Sequence, residues 1–131
     1  MKIIFDRHQN NTNKIETIPF KSFRDFENYI IRLDQSEFSE VILKDNSNEL
    51  KICGGRYNFT VSITIDSETF DLTNNNIQID LHEQISLMIK GQPISFPPNL
   101  IVTFEKALLV SKYFCLHKQL ESSLKWVKRL T

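Results

Sequence analysis

The residues best suited to acid–base chemistry in this chain lie in one short run, Asp80-Leu81-His82-Glu83. On an extended strand Asp80 and His82 share a face, and a carboxylate beside an imidazole can raise its pKa. Catalysis by such a pair also needs a nucleophile. No serine, cysteine or lysine is placed to serve, and no glycine elbow accompanies the pair. A solvated polar sheet face accounts for the same residues, so no catalytic set is expected. Cys53, His82, Cys115 and His117 are residue types that bind zinc, but zinc demands ligands converging on one tetrahedron. Cys115 and His117, two apart on an expected helix, point about 200° apart around its axis. No metal site is expected from them. Gly54-Gly55-Arg56 lacks the further glycines and the following helix of a phosphate loop. It reads as a tight turn, and no cofactor is expected.

Charge distribution points elsewhere. Sixteen basic and sixteen acidic residues balance over the 131 positions, but unevenly. Residues 1–33 hold six Lys/Arg against four Asp/Glu, residues 34–83 three against ten, and residues 84–131 seven against two. A neutral chain with an acidic middle argues against general nucleic-acid binding, which needs a net basic footprint. The basic flank of Lys112, Lys118, Lys125, Lys128 and Arg129 reads as a wet helical face and a solvated end. In the middle, Asp66, Glu68 and Asp71 gather around the end of one expected strand, and Asp80 and Glu83 come from the next. If those strands are neighbours, the five carboxylates converge at one edge of an exposed sheet face. Such an edge suits a basic protein partner, because complementary charge speeds encounter and selects partners.

The elements that must position these residues follow from apolar periodicity. Lys2–Asp6 reads as a first strand and His8–Lys14 as a polar loop. Ser22 can cap a helix whose stripe is Phe23, Phe26, Ile30 and Leu33. Glu40–Lys44 and Leu50–Cys53 are short strands around an Asp45-Asn46-Ser47-Asn48 turn. From Tyr57 to Asp66 the alternation is strict: Tyr57, Phe59, Val61, Ile63 and Ile65 take one face, polar residues the other. Phe70 and Leu72 precede an Asn74-Asn75-Asn76 turn, and two further alternating runs cover Ile77–His82 and Ile85–Ile89. The proline-rich stretch to Asn99 cannot be a helix interior. Thr103 caps a second helix to about His117, with Phe104, Ala107, Leu108, Ser111, Phe114 and Cys115 inward. Leu124–Val127 closes as an extended segment that pins Trp126. The expected fold is α+β: an antiparallel meander of five to seven strands, two helices on one face, the other face open to solvent.

Length and composition are consistent with a single domain over residues 1–131. A chain of this size buries roughly two-thirds of the surface its unfolded form exposes. Ten phenylalanines help to supply the core. No apolar run approaches the ~20 residues of a membrane span. The N-terminal segment turns polar within six residues, unlike a signal peptide. A cytoplasmic protein with free Cys53 and Cys115 is therefore expected.

The hairpin Ile52-Cys53-Gly54-Gly55-Arg56-Tyr57, the helix with Ala107 and Tyr113-Phe114, and the late Leu124-Lys125-Trp126 together have a familiar order. Over residues 40–128 it resembles the bacterial immunity proteins of polymorphic-toxin and contact-dependent growth inhibition systems, in particular the first-described immunity family. One stretch differs: where that family often closes the last helix with glycine, this chain reads Leu116-His117-Lys118-Gln119. The resemblance implies a non-enzymatic inhibitor that binds a cognate toxin, commonly a nuclease or deaminase domain at the C-terminus of a secreted effector. Such toxins are often basic, so Asp66, Glu68, Asp71, Asp80 and Glu83 become the expected toxin-binding residues. Neither nucleic acid nor membrane is an expected direct partner. A secretion chaperone or adaptor that holds an effector before export is the alternative.

Overall fold

The computed structural model describes residues 1–74 and 83–130. The expected Asn75-Asn76 turn, the strand around Ile77, Ile79 and Leu81, and Asp80 and His82 lie outside the described residues. The chain is α+β, as expected. Strands β1 (Lys2–Gln9), β2 (Thr12–Pro19), β3 (Glu40–Asp45), β4 (Asn48–Gly55), β5 (Asn58–Ile65) and β6 (Glu68–Leu72) precede a hairpin of β7 (Ile85–Ile89) and β8 (Gln92–Phe96). Helix α1 (Phe23–Arg32) joins β2 to β3; α2 (Phe104–His117) precedes the last strand, β9 (Trp126–Lys128). Seven strands form one antiparallel sheet in the order β2-β1-β3-β4-β5-β6-β9, and β7-β8 forms a second, two-stranded sheet.

The main sheet places Ile3, Phe5, Val41, Leu43, Leu50, Ile52, Val61, Ile63 and Leu72 on one face. There they meet Phe26 and Ile30 of α1 and Ala107, Val110 and Phe114 of α2. Both helices start where expected. Ser22 accepts from the Asp25 amide, and Thr103 from the Lys106 amide, so each hydroxyl satisfies an amide that the first turn leaves unpaired. The buried stripe of α2 runs through Ala107, Val110, Ser111 and Phe114. Phe104, Leu108 and Cys115 only flank the core, so the true stripe is rotated toward Val110. Ser111 is accommodated because its hydroxyl donates to the Ala107 carbonyl one turn back. Lys118, at the position where a glycine was noted as missing, takes the left-handed cap conformation itself (φ 55°).

Three expectations are corrected. His8–Lys14 is not a loop: β1 runs on to Gln9, turns at Asn10-Asn11, and returns as β2. Both turn residues have positive φ, as the tight two-residue hairpin requires, and asparagine tolerates this well. β2 has no apolar alternation to read because its two isoleucines fall on opposite faces of an edge strand: Ile15 is exposed and only Ile18 packs against the core.

Second, Gly54-Gly55 is not the turn. The turn is Arg56-Tyr57, and the glycines end β4, where Tyr57 leaves the apolar row of β5. A Cβ on Gly55 would stand 2.4 Å from the Leu33 carbonyl oxygen, so the close passage of α1's exit over β4 excludes any side chain.

Third, the polar face of the sheet is not left open. The β7–β8 hairpin lies across part of it, with Leu87 fully buried. The alternation of Ile85, Leu87 and Ile89 is real, but it belongs to this separate hairpin.

The hairpin is tied down by buried polar chemistry. Asp6 Oδ1 accepts from the Ser39 and Glu40 amides (2.8 and 2.7 Å), and Oδ2 accepts from the Ser39 hydroxyl at 2.6 Å. That hydroxyl in turn accepts from the Lys90 amide in the β7–β8 turn (2.8 Å), while the Ser39 carbonyl accepts from the Gly54 amide. Removing the carboxylate leaves three donors with no partner in a region Asp6 shares with only 1% exposure. Asp6→Ala should therefore cost about 3–5 kcal/mol in a denaturant titration. A loss below about 1 kcal/mol would show the network to be dispensable.

Candidate functional site

Of the expected acidic residues Asp66, Glu68, Asp71 and Glu83 are described, and two of these four are taken up by basic partners. Asp66 lies in the β5–β6 turn, exposed, with φ 51° and its amide donating to Asn48 Oδ1. Glu68 opens β6 and pairs with Lys128 Nζ at 2.8 Å. Asp71, three residues on, projects from the opposite face of that strand. The Arg129 guanidinium grips it through Nε (3.1 Å) and Nη2 (2.5 Å). Donating to the Asp71 carboxylate pushes the Arg129 pKa up. Glu83 is exposed, ahead of β7. Lys90 reaches Glu40 at 3.4 Å. The basic C-terminal third thus folds back onto the acidic middle and neutralises three of its carboxylates.

Asp71 and Arg129 belong to a small cleft between the polar sheet face and the β7–β8 hairpin, about 250 Å3 in volume. Its floor carries Glu40, Lys51, Cys53, Thr60 and Ser62; Ile89, Ile94 and Phe96 form its apolar wall. Cys53 is no nucleophile there. Burial, reinforced by the Glu40 charge, pushes its thiol up to about 12 from an ordinary 9.0, so the reactive thiolate is suppressed. Cys115, on α2, packs on the opposite side of the sheet, and its thiol is likewise pushed up by burial, to about 11. The two cysteines cannot share a metal across the sheet. Among the described residues no three His, Cys, Asp or Glu side chains are grouped to hold a metal ion. Nor is any described helix long and apolar enough to cross a membrane.

A larger concavity lies on the helix-bearing face, at the start of β5. Ile30, Ile31 and Leu33 of α1, Tyr57 and Phe59 of the β4–β5 hairpin, and Phe104 of α2 enclose a groove of about 600 Å3, flanked by Arg56, Thr103 and Glu105. Phe59 and Phe104 stack obliquely at 5.9 Å as its base. Tyr57 is 92% exposed and Ile31 58% exposed, so two large apolar side chains stand in water beside one apolar groove. The display of Tyr57 has a local cause. Among the described residues four hairpin turns have positive φ at both central residues: Asn10-Asn11, Arg56-Tyr57, Asp66-Ser67 and Lys90-Gly91. Each of the others includes Asn, Asp or Gly, residues that adopt this conformation most easily. Arg56-Tyr57 contains none of them, yet holds both residues left-handed (φ 54° and 75°). Strain of this kind persists where surrounding structure enforces it and clusters at functional positions.

Sequence reasoning placed Tyr57 in the apolar row of β5 and so missed this surface. The available signal was an Arg-Tyr pair at the two-residue spacing where Asn-Gly is the usual choice. No family model matches the chain, and no curated protein matches it either.

Two measurements follow from this geometry. Tyr57→Gly relieves a left-handed residue without removing a core contact, and should stabilise the fold by about 1 kcal/mol in thermal or denaturant unfolding. Destabilisation would mean that the ring supports the fold. For Cys53, a folded pKa above the unfolded value means the folded thiol keeps its proton where the unfolded one loses it. Its stabilising contribution is complete below pH 9 and is lost as pH rises toward 12. Cys53→Ala should accordingly flatten the fall of stability over that alkaline window, and an equal slope in parent and variant would refute the assignment.

Proposed function

We propose that this chain is an immunity protein that binds and neutralises a cognate toxin domain, a nuclease or deaminase, in the cytoplasm of the producing cell. The observation that carries a protein-binding role is Tyr57, held at a strained turn above an apolar groove. A fully displayed tyrosine beside an aromatic-floored depression is the composition of an interface hot spot, and its rigid ring loses little entropy on binding. The toxin as partner rests on the order of glycine hairpin, helix and late tryptophan. The groove, rimmed by Arg56 and Glu105, is the primary contact in this reading. The exposed carboxylates Asp66 and Glu83 serve as long-range attraction for a basic toxin. Glu68 and Asp71 are engaged by Lys128 and Arg129, so they contribute less free charge than their sequence positions imply.

The test is co-expression with the toxin domain encoded by the neighbouring gene, scored by growth and by co-purification. The intact chain restores growth. Tyr57→Ala raises the dissociation constant at least about ten-fold, the scale of a hot-spot truncation. Asp66→Lys with Glu83→Lys mainly slows association, and more so at low salt. Failure of the intact chain to protect would sink the reading. Protection unaffected by Tyr57→Ala, but lost with the charge reversals, would move the contact to the acidic end.

A further inference from the structure

The edge of the main sheet opposite β9 is unusual. β9 is three residues long, whereas β2 spans eight residues and, among the described residues, pairs only with β1. Its hydrogen-bonding direction is fixed by its surroundings. The Phe20 amide donates to the Met1 carbonyl, and the His8 amide points away from β2 to the Glu37 carbonyl. In an antiparallel ladder the paired residues alternate, so Thr12, Lys14, Glu16 and Ile18 bond inward to β1. Asn13, Ile15 and Thr17 therefore turn their amides and carbonyls outward, beyond the sheet. Side chains sort as cleanly. Glu16 lies opposite Phe5 and Ile18 opposite Ile3, so the even-numbered residues share the helix-bearing face. Ile15, 56% exposed, occupies the other face.

We infer that β2 pairs with β2 of a second copy of this chain, antiparallel about a two-fold axis at Ile15. The strand is self-complementary in that one register. Ile15 stands against Ile15 of the second copy, covering the most exposed apolar side chain of this edge. Asn13 and Thr17 exchange backbone hydrogen bonds with Thr17 and Asn13 of the second copy. On the helix-bearing face Lys14 opposes Glu16 of the second copy, and Glu16 opposes its Lys14. Every outward amide from Asn13 to Thr17 finds an acceptor, and every charge in the pairing meets its opposite, as an isologous interface requires. Shifting the register by two residues brings Lys14 opposite Lys14 or Glu16 opposite Glu16. Lysine on an edge strand ordinarily deters such pairing; here Glu16 answers it. Pro19, which lacks an amide, faces outward just past the paired segment and ends it. The result is one continuous sheet across both copies. The Tyr57 groove is formed by other elements, so this inference stands apart from the proposed function.

The experiment is sedimentation equilibrium or light scattering over a concentration series, with circular dichroism as the folding control. The parent mass should rise from 15.4 kDa toward twice that value. Ile15→Pro removes an outward amide that β1 does not use, and should leave a folded monomer at all concentrations. Lys14→Glu alone places like charges opposite one another twice per dimer and should raise the dissociation constant about ten-fold; Glu16→Lys does the same but also gives up the 3.7 Å pair of Glu16 with Arg7 of its own chain, so circular dichroism must show it folded. The double variant Lys14→Glu/Glu16→Lys should recover the parent value. Should Ile15→Pro fail to fold, Lys14→Glu decides, because Lys14 is exposed. A parent that stays at 15.4 kDa, a dimer that survives Ile15→Pro, or a double variant as weak as the single ones overturns the inference.

Discussion

The carboxylate of Asp6 is the point on which the separate parts of this molecule depend. It is almost fully removed from water, yet its two oxygens receive three donors, all from Ser39 and Glu40. A buried carboxylate is tolerated only where hydrogen bonds replace hydration. Here that requirement fixes where the chain enters β3 beside β1. Through the Ser39 carbonyl it fixes the end of β4, and through the Ser39 hydroxyl it seats the β7–β8 turn on the sheet. Apolar packing on the other face is non-directional and would accept small shifts. The Asp6 node would not. It converts a sheet with one wet face into a layered structure with a defined cleft.

The close passage at Gly55 has a similar directing effect on the opposite side. α1 leaves over the end of β4 with no room for a Cβ on Gly55, and the β4–β5 hairpin turns immediately afterwards. The turn then falls on Arg56 and Tyr57. The right-handed twist of paired strands selects a left-handed two-residue turn, and these two side chains accept it at some conformational expense. The same geometry holds the tyrosine ring out of the core, beside the groove between the two helices. Strain and display are two aspects of one local arrangement.

Electrostatics shows how far chain order can differ from spatial order. The acidic middle and the basic C-terminal third are separate in sequence but adjacent in space. Lys90, Lys128 and Arg129 return to Glu40, Glu68 and Asp71. A charge run along a chain states a field only if its counter-charges stay away, and long-range strand pairing brings them back.

Much of the architecture was legible in the residues themselves. Helix α1 with its Ser22 cap, helix α2 from Thr103, and the alternating strands β5 and β7 follow from local periodicity and capping, which neighbouring residues alone decide. The antiparallel sheet with both helices on one face follows from the same patterns. β2 shows no local signal because its two isoleucines, Ile15 and Ile18, lie on opposite faces of a mostly exposed edge strand and make no alternation to read. The Arg56-Tyr57 turn and the stripe of α2 were misplaced because each depends on what packs across from it. The candidate site was the least legible part. The residue types favouring chemistry, Cys53 and Cys115 among them, were visible at once, but not that they lie on opposite sides of a sheet. The sequence by itself determined the class of fold, the helix starts and the apolar supply of the core, because those rest on contacts a few residues apart. Only the tertiary structure decided that the polar sheet face is roofed by a hairpin, that the acidic middle is partly neutralised, and that Tyr57 stands free beside a groove. Each of these depends on segments brought together by sheet register and by one buried carboxylate, and no local pattern encodes either.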